Sequence, residues 1–412
     1  MKENSLEITP ELLEQNPWLA IALTGMSAFV VAVLMGFLAS WVFLIVKARR
    51  GEPWLTAEPR LPRVWGLADL AVVVVLVVSC QTLFASAYVR LAGVDLAGLQ
   101  GKAMPAAVSA MASSGNVLAI ALTLGWLALR FQVSPSHVGF RSQGWIKQLQ
   151  IGTITTLATL PIVYMLMAAV SIGMDTAYKH PLLDEIRATA TVGSYLLGVL
   201  TAVLLAPLAE EFLFRVMLQG WMQSWSVSSL SEIILGASSE QRVAARMSAV
   251  IMADVVPETP ATLHTEAAAA ELSADSVPPA LQPTALQPIT LQPITSPHYD
   301  LTAATPPQTI AESQPDGNLV DGLLARTPPV WPSLITGILF GLAHWGYGLS
   351  FVPLIILGIV LGLVYRATNS IWPCFFIHLA LNATSMLGLG LSILVERADL
   401  VAQLSARLGL GW

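Results

Sequence analysis

Apolar residues fill eight stretches of the chain, over 18–46, 65–89, 106–129, 151–174, 192–222, 331–345, 351–365 and 371–394. A helix needs a run of about 18 or more apolar residues to cross the hydrocarbon core of a bilayer. Six of the runs reach that length, and those at 331–345 and 351–365 fall short of it. The pattern predicts an all-α fold, a polytopic bundle of about eight transmembrane helices. Between 226 and 329 the apolar periodicity stops and Ala, Pro, Thr, Gln and acidic residues take over. There the pentads LQPTA, LQPIT and LQPIT, over 281–295, repeat a proline at every fifth residue, which breaks helix and favours extended, solvated backbone. A disordered polar insert, with a short helix near 240–252, is expected, and its plainest reading is a linker. The chain thus divides into an N-terminal four-helix membrane region, 1–178, and a second membrane domain, 192–394, interrupted by the insert at 226–329.

Composition strengthens the membrane reading. Hydrophobic residues make up 55% of the 412 and charged residues 11%, against roughly 25% charged in an ordinary globular domain. The N-terminal stretch MKENSLEITPELLEQNPW is acidic and polar and lacks the basic start of a cleaved signal peptide, so the first helix is expected to remain as an anchor. Lys47, Arg49, Arg50, Arg60 and Arg63 follow the first span, and Arg130, Arg141 and Lys147 the third. Basic loops tend to stay in the cytoplasm, which places both termini outside. The net charge of −6 arises largely in the polar insert, and no basic aromatic patch points to nucleic acid. Cys80 and Cys374 fall in or beside spans, where a small buried hydrophobe is the expected role rather than a disulfide.

An ionised side chain at the centre of a spanning helix costs about 2.5–3.5 kcal/mol on insertion scales, so polar residues there call for an explanation. They concentrate in three spans: Glu210, Glu211 and Arg215 in the fifth, His344 in the sixth, His378 and Asn382 in the eighth. Asp69 and Asn116 are the main exceptions in the first four. Residues four apart share a helix face, so Glu211 and Arg215 can pair. Glu210 is turned by about 100° from Glu211 and faces another neighbour, which makes it the better catalytic candidate. His378 and Asn382 present an imidazole and a carboxamide to one point, a geometry suited to donating hydrogen bonds to an oxyanion. Together the set suggests water activated by a carboxylate and an imidazole, that is, hydrolysis inside the membrane. No G-x-S-x-G elbow is present, and nothing obvious activates Cys374.

Each feature has a plainer explanation when taken alone. A Glu–Arg pair is more often structural than catalytic, and a histidine beside Trp345 commonly satisfies a backbone group. His137, His180, His264 and His298 lie in loops or the insert and receive no role. Two histidines and a glutamate can bind zinc, yet no H-E-x-x-H occurs; no cofactor is expected, with zinc the competing reading. A proton-coupled transporter and a catalytically silent immunity or binding protein are the alternatives. Transport would distribute titratable residues through both halves. The motifs GILFG, 337–341, and GIVLG, 358–362, allow close helix packing and are weak signals singly.

The order E-E-x-x-x-R (Glu210, Glu211, Arg215), F-x-x-x-H (Phe340, His344) and H-x-x-x-N (His378, Asn382) resembles the intramembrane CAAX-protease and bacteriocin-processing family. The resemblance covers about 192–394. It implies a glutamate-dependent endopeptidase in which Glu210 and His344 activate water, His378 and Asn382 stabilise the oxyanion, and Glu211, Arg215 and Phe340 support the site. It also implies a membrane-associated protein or peptide as substrate, prenylated in the family's eukaryotic members, and for this bacterial-looking chain an inner-membrane location. The first two motifs usually lie close together. Here more than 100 residues separate Arg215 from Phe340, a length whose closure cost grows only logarithmically.

Overall fold

Proline and capping residues set the helix starts and apolar length sets their span. The structure, a computed structural model, describes residues 8–57, 60, 63–95, 104–174, 181–189, 191–226, 228–237 and 327–407. The helices that build the bundle are α1 (Pro17–Arg49), α2 (Leu67–Ala92), α3 (Ala106–Phe131), α4 (Trp145–Met174), α5 (Pro181–Thr189), α6 (Val192–Ser224), α7 (Trp331–Leu342), α8 (Phe351–Thr368) and α9 (Ile371–Arg407). Pro17 opens α1 at its first turn, where its missing N–H costs nothing, and Lys47 and Arg49 close its last turn. Among the described residues seven segments are long and apolar enough to cross a membrane, while α7 is apolar but only 12 residues long. Leu34, Met35, Leu38 and Leu129 are among many large apolar side chains left exposed, as expected of an outer surface solvated by lipid rather than water. The chain is an integral membrane protein of the all-α polytopic class expected from its sequence.

The sixth run stays short, as the 12-residue α7, whereas the seventh extends into a 21-residue span, Gly348–Thr368. A 3-10 segment, Trp345–Ser350, turns the chain from α7 into α8, and the two helices press together along their glycines. A Cβ on Gly358 would stand 2.7 Å from the carbonyl oxygen of Gly337, and one on Gly362 would stand 2.9 Å from that of Ser333. The two G-x-x-x-G motifs therefore face each other, and any side chain there would force the helices apart. Beneath this contact Gln219 of α6 donates to Ser333 Oγ (3.0 Å) and to the Gly362 carbonyl (2.8 Å), tying α6 to both. The principal core gathers around Phe212, Met217, Phe340, Leu357, Leu361 and Tyr365, all within 1% of complete burial.

The polar residues of the first half are structural. Asp69 accepts from Gly66 N at the start of α2, from Trp126 Nε1, and forms an ion pair with Arg130. Asn116 accepts from Gln81 Nε2. At the start of the expected insert, residues 230–235 form a helix docked on the bundle. Ser229 caps it and Glu232 reaches back to the Ser229 N–H, the reciprocal capping box that S-x-x-E encodes. Trp221 Nε1 donates to Ile233 O, and Ala237 N to Val64 O. The expected helix near 240–252, the LQPIT pentads and the expected disorder lie outside the described residues.

Candidate active site

Pro207 governs the local shape of α6. A proline inside a helix lacks the N–H that would close the turn and crowds the carbonyl four residues before it. The turn ahead of it widens into a π-helical segment, Leu200–Leu205, where Ala206 N bonds to Thr201 O. The carbonyl of Ala202 is left without a helical donor: Ala206 N is engaged one residue back, and Pro207 has no hydrogen to give. Asn382 Nδ2 of α9 donates to it at 2.7 Å. A second π-helical segment, Phe212–Gln219, follows Glu211, so the two glutamates sit on one short α-helical stretch between two widened ones. Such interruptions are frequent at functional sites.

This frame points the adjacent carboxylates in different directions. Glu211 is fully buried, accepting from Arg215 Nε at 3.0 Å through one oxygen and from His378 Nδ1 at 3.0 Å through the other. The remaining Arg215 amino groups have no hydrogen-bond partner, and the guanidinium lies 5.1 Å from the centroid of the Phe340 ring, whose π-face attracts a cation. Glu210 instead faces a cavity of about 670 Å³ that His344, His378 and Asn382 also line. Its Oε2 lies 3.9 Å from His344 Nε2 and 3.8 Å from His378 Nε2. Those separations exceed a hydrogen bond and suit polar groups with a water between them.

The histidine tautomers follow from their other contacts. His344 Nδ1 is 2.8 Å from the Phe340 carbonyl, an acceptor, so it carries the proton. His378 Nδ1 donates to Glu211 in the same way. Both rings turn Nε2 toward Glu210 Oε2, which is itself buried and has no hydrogen-bond partner. Phe340 holds the rings in place, its centroid 5.1 Å from that of His344 and 5.4 Å from that of His378.

All seven residues singled out in the sequence meet around this cavity or in its buried wall. Two of them do more than their spacing suggested. His378 contacts both glutamates, and Asn382 gives an amide hydrogen to the α6 backbone. Spacing along one helix cannot reveal either cross-helix contact. The N-terminal region is also not separate from the site, since α4 lines the cavity with Tyr164, Met167 and Ser171. Tyr164 donates to Leu381 O and pairs with Ser385 Oγ; a tyrosine within an apolar run was the available signal. Among the described residues no group of three or more His, Cys, Asp or Glu side chains is arranged to hold a metal ion. Cys374 is buried, its thiol directed at the Leu361 carbonyl.

Residues 317–384 match the family model described as Type II CAAX prenyl endopeptidase Rce1-like. Over that stretch the chain is similar to the CAAX-protease family. The match contains Phe340, His344, His378 and Asn382, whereas the glutamates and Arg215 precede it and join the family's motifs through the fold. No curated protein and no solved structure matches the chain. The match supports a CAAX-type intramembrane protease in general.

Proposed function

We propose that this protein is a CAAX-type, glutamate-dependent endopeptidase that needs no bound metal. Glu210 takes a proton from a water held between its carboxylate and the Nε2 atoms of His344 and His378, and the resulting hydroxide attacks the carbonyl carbon of the scissile bond. The C–N bond breaks as the proton passes from Glu210 to the departing amine. Glu210 is the general base because it is the carboxylate of the pair with a free, cavity-facing oxygen. Glu211 has both oxygens committed to Arg215 and His378. His378, oriented by Glu211 and donating from Nε2 as an imidazolium, and the second amide hydrogen of Asn382 serve the tetrahedral oxyanion, for which oriented donors in a water-poor site are worth far more than in solution.

The observation that carries this reading is the convergence of two Nε2 atoms on one unpartnered Glu210 oxygen. The substrate class follows from the walls: Met167, Leu354, Leu381 and Leu389 make the cavity largely apolar, suiting a membrane-associated polypeptide. A prenylated C-terminus, the substrate type in the matched family's description, fits the same walls. Comparing membrane proteomes of cells carrying the wild-type protein or Glu210→Ala tests it. Precursors should accumulate, uncleaved, in the variant alone, and identical proteomes under expression of both would contradict the reading.

A further inference from the structure

A second polar cluster lies at the end of the bundle where α1, α3, α6 and α8 terminate, outside the catalytic cavity. The loop between α1 and α2 carries Arg60 and Arg63 against the last turn of α8. Arg60 donates to the Tyr365 carbonyl and to Gln223 Oε1, with its guanidinium 5.5 Å from the Tyr365 ring centroid. Arg63 donates to Tyr365 Oη, Asn369 Oδ1 and the His137 carbonyl, with its guanidinium 5.3 Å from the Trp65 ring centroid. Next along α8, Arg366 donates to Pro328 O. Two guanidiniums thus meet at one tyrosine with a third on the next residue of α8, and among the described residues none of the three forms an ion pair with a carboxylate.

Every acceptor in the cluster is a neutral oxygen or an aromatic face. Among the described residues that leaves the positive charge uncompensated, and two donors remain unused. Arg63 Nε and Gln223 Nε2 are buried without a hydrogen-bond partner, and Gln223 is itself 8% exposed. Burial first, and then the nearby charge of Arg63, press the Arg60 guanidinium down to about 9 from its ordinary value, as expected when like charges are gathered out of water without a counter-ion. The packing is tight: a Cβ on Gly220 would come within 3.3 Å of Arg63 Cγ. This is a built site rather than a set of loose surface side chains.

We propose that this cluster binds a phosphate group, supplied by the headgroup of an anionic phospholipid in the leaflet that meets the basic loops. Guanidiniums offer paired N–H donors that match phosphate oxygens, and basic pockets at helix ends on the cytoplasmic side recognise acidic headgroups. Arg49 and Arg50, at the end of α1, add positive charge at the same end of the bundle, whereas Lys47 and Arg130 there are paired with Glu52 and Asp69. A bound headgroup would clamp the α1–α2 loop to α6 and α8, the helices behind Glu210 and beside α7.

Native mass spectrometry of the full chain in neutral detergent tests this, with phosphatidylglycerol and phosphatidylcholine offered separately. Wild type should retain phosphatidylglycerol preferentially, and Arg60→Gln/Arg63→Gln should weaken that retention roughly 10–30-fold, as expected for losing two headgroup contacts. Arg60→Lys/Arg63→Lys, which keeps the charge, should retain part of the preference and guards against a folding defect in the first variant. If millimolar inorganic phosphate displaces the lipid and stabilises the protein equally well, the anion site stands and its occupant is free phosphate. Equal retention of both lipids by wild type, as a cluster neutralised from within the chain would give, overturns the proposal. So does a phosphatidylglycerol preference that survives in the glutamine variant.

Discussion

Replacing Glu211 by glutamine should cost this protein much of its stability, even though the two side chains have nearly the same shape. Glu211 and Arg215 are both 0% exposed, and His378 is 4% exposed at the side chain. The carboxylate serves two donors at once, Arg215 Nε and His378 Nδ1, each at 3.0 Å. A carboxamide has one acceptor oxygen, so one donor must face its NH2 group. Arg215 also loses the one carboxylate paired with it among the described residues, while its two amino groups already lack hydrogen-bond partners. Breaking a buried pair by removing one member costs about 3–5 kcal/mol, a large part of the 5–15 kcal/mol that typically separates folded from unfolded protein. The measurement is reversible unfolding of wild type and Glu211→Gln in the same detergent. Glu211→Gln/Arg215→Met, which removes both charges and keeps apolar volume under Phe340, should recover a substantial part of the loss. A Glu211→Gln protein within about 0.5 kcal/mol of wild type, the range of inconsequential surface changes, would refute the argument that this pair is uncompensated without the carboxylate.

Two further outcomes follow from the site. Asn382→Ala should orphan the Ala202 carbonyl and destabilise the bundle by about 1–3 kcal/mol. In a Pro207→Ala background, which supplies the missing N–H, the same substitution should cost less, and unfolding of the four proteins in a double-mutant cycle reads the difference. If Glu210 and the histidines suffice for water activation, strong chelators should leave peptide cleavage by the purified protein intact and elemental analysis should find less than one zinc per chain. Zinc-dependent recovery that is lost in His344→Ala would instead favour a metal centre.

The sequence was most informative where a single helix carried the signal. Apolar run length located the spans, and the spacing of Glu211 with Arg215 foretold their pair because both lie on one helix face. The rotation of Glu210 away from Glu211 likewise anticipated its turn toward the cavity. Contacts between helices were not legible in that way. The His378 bond to Glu211 joins residues 167 positions apart, and no periodicity encodes it. The Asn382 bond to Ala202 depends on a π-helical turn, which a pattern of 3.6 residues cannot express, although Pro207 marked where the helix must adjust. The capping box at Ser229 and Glu232 was readable but lay inside a stretch whose composition suggested an insert. The arginine cluster was visible only as basic loops, because its meeting point at Tyr365 is made by the fold.

The central claim, that Glu210 is the general base, is tested most directly by the single-turnover rate of peptide cleavage in detergent or liposomes for wild type and Glu210→Gln. The amide preserves shape and sits in a partly open cavity, its side chain 30% exposed, so the variant should fold and unfold like wild type. It cannot accept a proton from water, and general-base catalysis is typically worth 10²–10⁴-fold. A folded Glu210→Gln protein whose cleavage rate falls by about that factor or more is the predicted result; one that cleaves the same substrate at the wild-type rate would contradict the account.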